Sequence, residues 1–321
     1  MTVVKQTVIS AVIAGSVLLA GCQTVQAQPE NGERQIGAAA GNGGHPAIAY
    51  AREDAPGYTF FRPEVLPDER LPVVIWGNGG CRDNGLSAGH FLREIASHGY
   101  LVIANGRPGE ERPPLASLPA APPPVAAAQA GPPPPPRNTP DETSVAQMLA
   151  AIDWAAAANA DPANPLAGHL DPERVAVMGH SCGGLQALSA GADPRVDAVV
   201  AFASGVYNRP TGGLSGVTIN KNDLTRLHTP VAYVLGGPTD IAFPNGSDDF
   251  AQIAHVPAML LNLPVGHGGT FALANGGDWA RVGAEWLDWQ LRGASDAERS
   301  FVGDGCRLCT TYGWSIERKG F

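Results

Sequence analysis

Along this chain, short runs in which nearly every position is apolar alternate with stretches in which apolar residues recur every third or fourth place. Leu71–Trp76, Tyr100–Ala104, Arg174–Met178, Val196–Phe202, Val231–Leu235 and Pro257–Leu261 are of the first kind. Near-continuous β-branched runs of this length fit strands covered on both faces. Ala47–Ala51 and Tyr58–Arg62 add two shorter strands. The second kind predicts helices over Ala88–Ser97, Thr143–Ala158, Gly183–Ala190 and Asp278–Leu291. Gly99 stands where the first of these would stop, and the last carries Trp279, Trp286 and Trp289. Strands alternating with helices predict an α/β domain with a mostly parallel sheet of about eight strands, helices on both sides.

Three segments break the alternation. Val8–Ala20 is almost wholly apolar, follows Lys5, and ends in Leu19-Ala20-Gly21-Cys22. That run is short for a membrane span and has the length of a signal-peptide core. Its end resembles the lipobox of bacterial lipoproteins, which implies removal of residues 1–21, a lipid anchor on Cys22, export, and residence in the cell envelope. Gln23 in place of Asp after the Cys favours the outer membrane. Residues 22–45, rich in Gln, Gly, Ala and Asn, read as a flexible tether. Folded sequence is then expected from Pro46 to residue 321. Residues 112–137 hold three proline clusters, including Pro132–Pro136, through which no helix or ladder can run. They lie inside the alternation, so they read as an exposed insertion and not as an interdomain linker. No internal repeat or second-domain boundary is visible.

The length, 321 residues, and the 44% apolar content suit one large domain. The net charge of -9 argues against a nucleic-acid partner.

Candidate chemistry concentrates where predicted strands end. Gly179-His180-Ser181-Cys182-Gly183 is a G-x-S-x-G sequence between a strand and a helix. Such a turn exposes its Ser, and small neighbours let strand and helix approach closely. A Ser hydroxyl needs a base and an orienting acid, supplied in the chain order Ser, acid, His. Asp240 lies a few residues past Val231–Leu235, and His267, flanked by Gly266 and Gly268, follows Pro257–Leu261. The rivals read otherwise: Asp248 and Asp249 as solvated loop carboxylates, His255 as structural, and His180 as a site-lining residue too close to the nucleophile to serve as base. The backbone amide of Cys182 is one candidate oxyanion donor. The Gly77-Asn78-Gly79-Gly80-Cys81 loop supplies the other, with Gly80 as first choice and Gly79 as second. No metal or organic cofactor is implied.

From Pro46 to Leu291 the chain resembles the α/β-hydrolase superfamily. It looks closest to the branch with dienelactone-hydrolase-like, chlorophyllase-like and cutinase-like polyester-hydrolase enzymes. The Gly77–Gly80 loop, Ser97-His98-Gly99-Tyr100-Leu101-Val102-Ile103, the Ser181 turn, Asp240 and Gly266-His267-Gly268 carry the resemblance. Dienelactone hydrolases use Cys as nucleophile, so Ser181 favours a serine esterase. The resemblance implies hydrolysis of a small-molecule or polymeric ester through an acyl-enzyme. Amidase, peptidase or thioesterase activity on the same three residues is the alternative. A catalytically silent envelope lipoprotein that uses the fold for binding is an alternative of another class.

Setting Cys22 aside leaves Cys81, Cys182, Cys306 and Cys309, which allow three pairings in an oxidising compartment. Cys81 and Cys182 belong to two loops that must aim amides at one oxygen atom, so a bond between them is sterically expected. Cys306 and Cys309 would then close a small C-x-x-C loop, the alternatives being a metal ligand pair or a redox motif.

Overall fold

A computed structural model describes residues 32–119, 142–208 and 217–321. Ten strands form one sheet, eight of them on the apolar runs: β1 (Glu33–Ala40), β2 (Ala47–Arg52), β3 (Tyr58–Pro63), β4 (Leu71–Gly77), β5 (Leu101–Asn105), β6 (Leu170–His180), β7 (Ala198–Phe202), β8 (Val231–Leu235), β9 (Ala258–Asn262) and β10 (Ser315–Lys319). Their spatial order is β1-β2-β3-β5-β4-β6-β7-β8-β9-β10. The six strands from β5 to β9 in that order are mutually parallel, and the strands flanking them at either edge are antiparallel.

Successive side chains of a strand face opposite ways, which divides the core in two. Val73 and Ile75 of β4 pack under α2 (Val145–Ala160) and α3 (Cys182–Ala190). Val74 and Trp76 pack under α1 (Gly89–Ser97) and α5 (Gly277–Arg292). On the first face, against β8 and β9, lies α4 (Phe243–Gln252), and two short helices, α6 (Ser295–Glu298) and α7 (Arg307–Thr310), follow α5. A mostly parallel sheet sandwiched this way is the α/β-hydrolase fold.

Two edge strands correct the expected eight. β1 lies inside the segment read as a tether at 22–45. Its residues are half-buried or exposed, so no apolar pattern marks it. It is held instead by the β2 ladder, by Glu33 pairing with Arg52 (2.6 Å) and Arg62 (3.0 Å), and by Arg93 Nη2 donating to the Ile36 carbonyl. Asn42 and Gly43 then donate to the Glu94 and Ser97 side chains of α1. β10, Ser-Ile-Glu-Arg-Lys, is equally polar and is stitched to β9 along its length. Residues 1–31, with the signal segment and Cys22, lie outside the described residues, as does most of the proline-rich insertion. The insertion's first residues return to the body, where the Leu115 amide donates to Ala272.

Candidate active site

β6 ends at His180, and the chain turns so sharply into α3 that Ser181 adopts φ 54° and ψ −118°. That conformation is costly for any residue with a Cβ, about 1–3 kcal/mol, and persists only where the surroundings hold it. Here the Ser181 amide donates to Phe202 of β7, and its carbonyl accepts from the Gly184 amide (2.9 Å) and the Ser204 hydroxyl (2.7 Å). A Cβ on Gly179 would strike the backbone of Gly183, and one on Gly183 would strike Gly77. The strand, the helix and the β4 loop therefore meet backbone to backbone.

The Ser181 hydroxyl lies 3.0 Å from Nε2 of His267, and Nδ1 of His267 lies 2.7 Å from Asp240 Oδ1. Asp240 stands on the turn after β8 and is almost wholly buried. Burial by itself would raise its carboxyl. The hydrogen bond and charge of His267, together with the Gly236 (3.0 Å) and Ala242 (2.8 Å) amides, outweigh that and hold it below the usual carboxylate range. The carboxylate is thus ionised and oriented to receive an imidazole N–H. His267 follows β9 on a glycine-rich loop tied down by the Gly266 amide donating to Gly236.

Opposite the Ser, Gly79–Cys81 makes one tight turn with φ 67° at Gly80 and 50° at Cys81. A disulfide joins Cys81 to Cys182 across a Cα separation of 5.2 Å, and another joins Cys306 to Cys309. Among the described residues, the backbone amides of Gly79, Gly80 and Cys182 donate to no protein acceptor. Helix α3 starts at Cys182, so its positive end faces the same place.

Two supporting groups were not singled out in the sequence, and a third was read differently. Asn78 is fully buried, accepts from Trp76 Nε1 (3.0 Å) and the Ser87 hydroxyl, and donates to the carbonyls of Arg82 and Asn105. It pins the β4 loop, and an Asn inside a glycine-rich strand end was its one visible sign. Ser204 props the Ser181 turn. Asp249, read as solvated, is instead fully buried on α4, where it meets Lys221 at 2.5 Å and the Val206 amide at 2.7 Å. Burial pushes its carboxyl up to about 6 despite Lys221. Asp248 is half-buried and also pairs with Lys221, at 2.8 Å, and His255 Nε2 contacts the Leu227 carbonyl.

His180 lines the site, as expected, and does more. Its Nε2 donates to the His267 carbonyl at 2.8 Å, and its ring packs on Phe271. Burial, then the charge of His267, lower it to about 4, so it is a neutral donor at ordinary pH.

Two depressions meet at Ser181 and His267. One of about 60 Å³ runs under Tyr207 and Ile241. The other, a cleft of about 530 Å³, runs past Trp76, Gly80, Arg82 and Phe271. No group of residues suited to hold a metal ion occurs among the described residues.

Residues 137–217, which include the Ser181 turn, match the PET hydrolase-like family (PETase). No curated protein matches the chain. The family match supports an ester hydrolase of the polyester-hydrolase branch.

Proposed function

We propose that the protein is a serine carboxylic-ester hydrolase with Ser181 as nucleophile, His267 as base and Asp240 as orienting acid. The continuous hydrogen-bonded line from Ser181 Oγ through both ring nitrogens of His267 to Asp240 carries the reading. In the first half-reaction, the Ser181 oxygen attacks the ester carbonyl while its proton passes to His267 Nε2. Asp240 stabilises the imidazolium, and the negative oxygen is received by the Cys182 amide and that of Gly80, with Gly79 as the other choice. Collapse expels the alcohol, which takes the proton from His267 and leaves an acyl-Ser181. Water, deprotonated by the same imidazole, releases the acid.

Ester chemistry is preferred over amide or thioester chemistry on the family match. Residues 1–22 support a further part of the reading: export, cleavage before Cys22 and lipid attachment in the envelope, so that the enzyme works on esters outside the cytoplasm.

Ser181→Ala tests the mechanism. Hydrolysis of a chromogenic ester should fall by several orders of magnitude with the melting temperature retained. A serine-reactive phosphonate should label the wild type once, at Ser181. Label at another residue, or full activity of the variant, refutes the assignment.

A further inference from the structure

The chain carries a net charge of -9, yet the larger of the two depressions at Ser181 is lined by two cations, Arg82 and Arg112, without side-chain partners among the described residues. Arg82 follows the disulfide-bonded Cys81 and is exposed, and its side chain folds back over Gly80. An added Cβ there would sit 3.2 Å from its Nε and 3.7 Å from its Cζ. The guanidinium therefore lies along the loop that borders the reacting oxygen. Its base is fixed, because the Asn78 side chain donates to the Arg82 carbonyl at 3.1 Å. Arg112 lines the same cleft, and its carbonyl meets His90 Nε2 at 2.9 Å. Among the described residues neither guanidinium forms an ion pair or a side-chain hydrogen bond.

The negative groups nearby cancel them only in part. Glu111 lines the cleft but is held by both terminal nitrogens of Arg93. Glu142 is bridged to Arg82 through the backbone, but it does not line the cleft and no ion pair joins the two. Glu110 is the one carboxylate of the lining without a side-chain partner. The remaining titratable groups of the lining are His90, His180 and His267, and the charge of Arg82 is felt at His180.

We infer that Arg82, with Arg112 in the same lining, forms a subsite for a carboxylate, so that the preferred substrates are esters bearing a free carboxylate on the part that occupies the large cleft. This rests on the ester-hydrolase reading and adds the substrate class to it. A guanidinium presents a planar fork that a carboxylate can engage with two hydrogen bonds. In a protein of opposite overall charge, a local pair of cations also draws the anionic substrate to the correct mouth. Arg82 touches substrate away from the scissile bond, so it sets selectivity and takes no part in proton transfer.

Two matched pairs of esters test this whichever side of the ester enters the cleft. One pair is 4-nitrophenyl hemisuccinate and 4-nitrophenyl butyrate, which differ in a carboxylate at the acyl end. The other is 4-butyryloxybenzoate and phenyl butyrate, which differ in a carboxylate on the leaving group. For each pair, the ratio of kcat/KM for the charged to the neutral member is measured in the wild type, Arg82→Gln, Arg82→Lys and Arg112→Gln. Taking ratios cancels leaving-group differences within a pair. In one pair the ratio should fall about tenfold in Arg82→Gln, chiefly through KM, less in Arg82→Lys, and additional salt should mimic the loss. Equal losses on charged and neutral esters, or ratios unchanged in both pairs, overturn the carboxylate subsite while leaving the hydrolase reading intact. A wild type inactive on all four esters overturns both.

Discussion

The Cys81–Cys182 bond ties the two halves of the proposed oxyanion site together, and replacing both cysteines by Ala separates two consequences of that tie. The first is global. The bond closes a loop spanning 101 residues, and the chain-entropy model gives about 4.7 kcal/mol for a loop of about 100 residues. At about 2–4 °C per kcal/mol for a domain of this size, the variant should melt about 10 °C or more below the wild type. The second is local. The amides of Cys182 and Gly80 survive the substitution, but nothing covalent fixes their separation. A misplacement of about 1 Å at such a site costs roughly 100-fold in rate. The assay is kcat for a chromogenic ester at 20–25 °C, where circular dichroism shows the variant still folded, beside a thermal melt of the same sample. A large loss of kcat in a folded sample is expected. Wild-type kcat with a lowered melting temperature would refute the clamp and leave the bond a purely structural staple.

Three further outcomes follow from the geometry. Because His267 must be neutral to accept the Ser181 proton, kcat/KM should rise with pH along an acid limb of unit slope and then level. His180, titrating at about 4, adds no second step above that pH, and a flat profile or a limb of slope two refutes the assignment. Lys221→Met strips Asp249 of its cation, a loss of about 3–5 kcal/mol for a buried pair. The folded carboxyl, already raised, rises further, so the protonated folded state is favoured. Stability should be closest to wild type near pH 4 and decline as pH climbs through and past 6, and a urea midpoint that improves with pH contradicts this. Gly183→Ala drives a Cβ into the Gly77 backbone and within 2.6 Å of the Asn78 amide. It should cost about 1–3 kcal/mol as overpacking and lower kcat by moving the Ser181 turn, and unchanged melting and turnover would show that the two loops are not in close contact.

The central strands were legible because burial on both faces leaves an unbroken apolar run, as in Val231–Leu235. The meeting of Ser181, Asp240 and His267 was legible because this fold brings together the loops where such runs stop. What escaped is held by polar pairing. β1 and β10 draw on backbone ladders and ion pairs, which leave no periodicity in the sequence. Asp249 looked solvated because its partners, Lys221 and the Val206 amide, lie 28 and 43 residues away. The double duty of His180, lining the cleft and holding the His267 loop, depends on a carbonyl 87 residues distant.

Strand β1 also acts as a mooring. Its register runs Glu33 against Arg52 at the end of β2, and the β2 and β3 ladders carry that level to Tyr58 opposite Asn105, where β5 ends. The chain therefore enters the domain on the side where the parallel strands end and Ser181, Asp240 and His267 gather. With the proposed anchor at Cys22, the leash is the stretch from 22 to 33, at most about 40 Å when fully extended, and not the roughly 85 Å that a tether reaching Pro46 would allow. A domain of this size is itself about 50 Å across. Were Cys22 to carry a lipid, so short a line, fastened on the side of Ser181, would keep the domain from swinging over and would hold the mouth of the cleft toward the lipid surface.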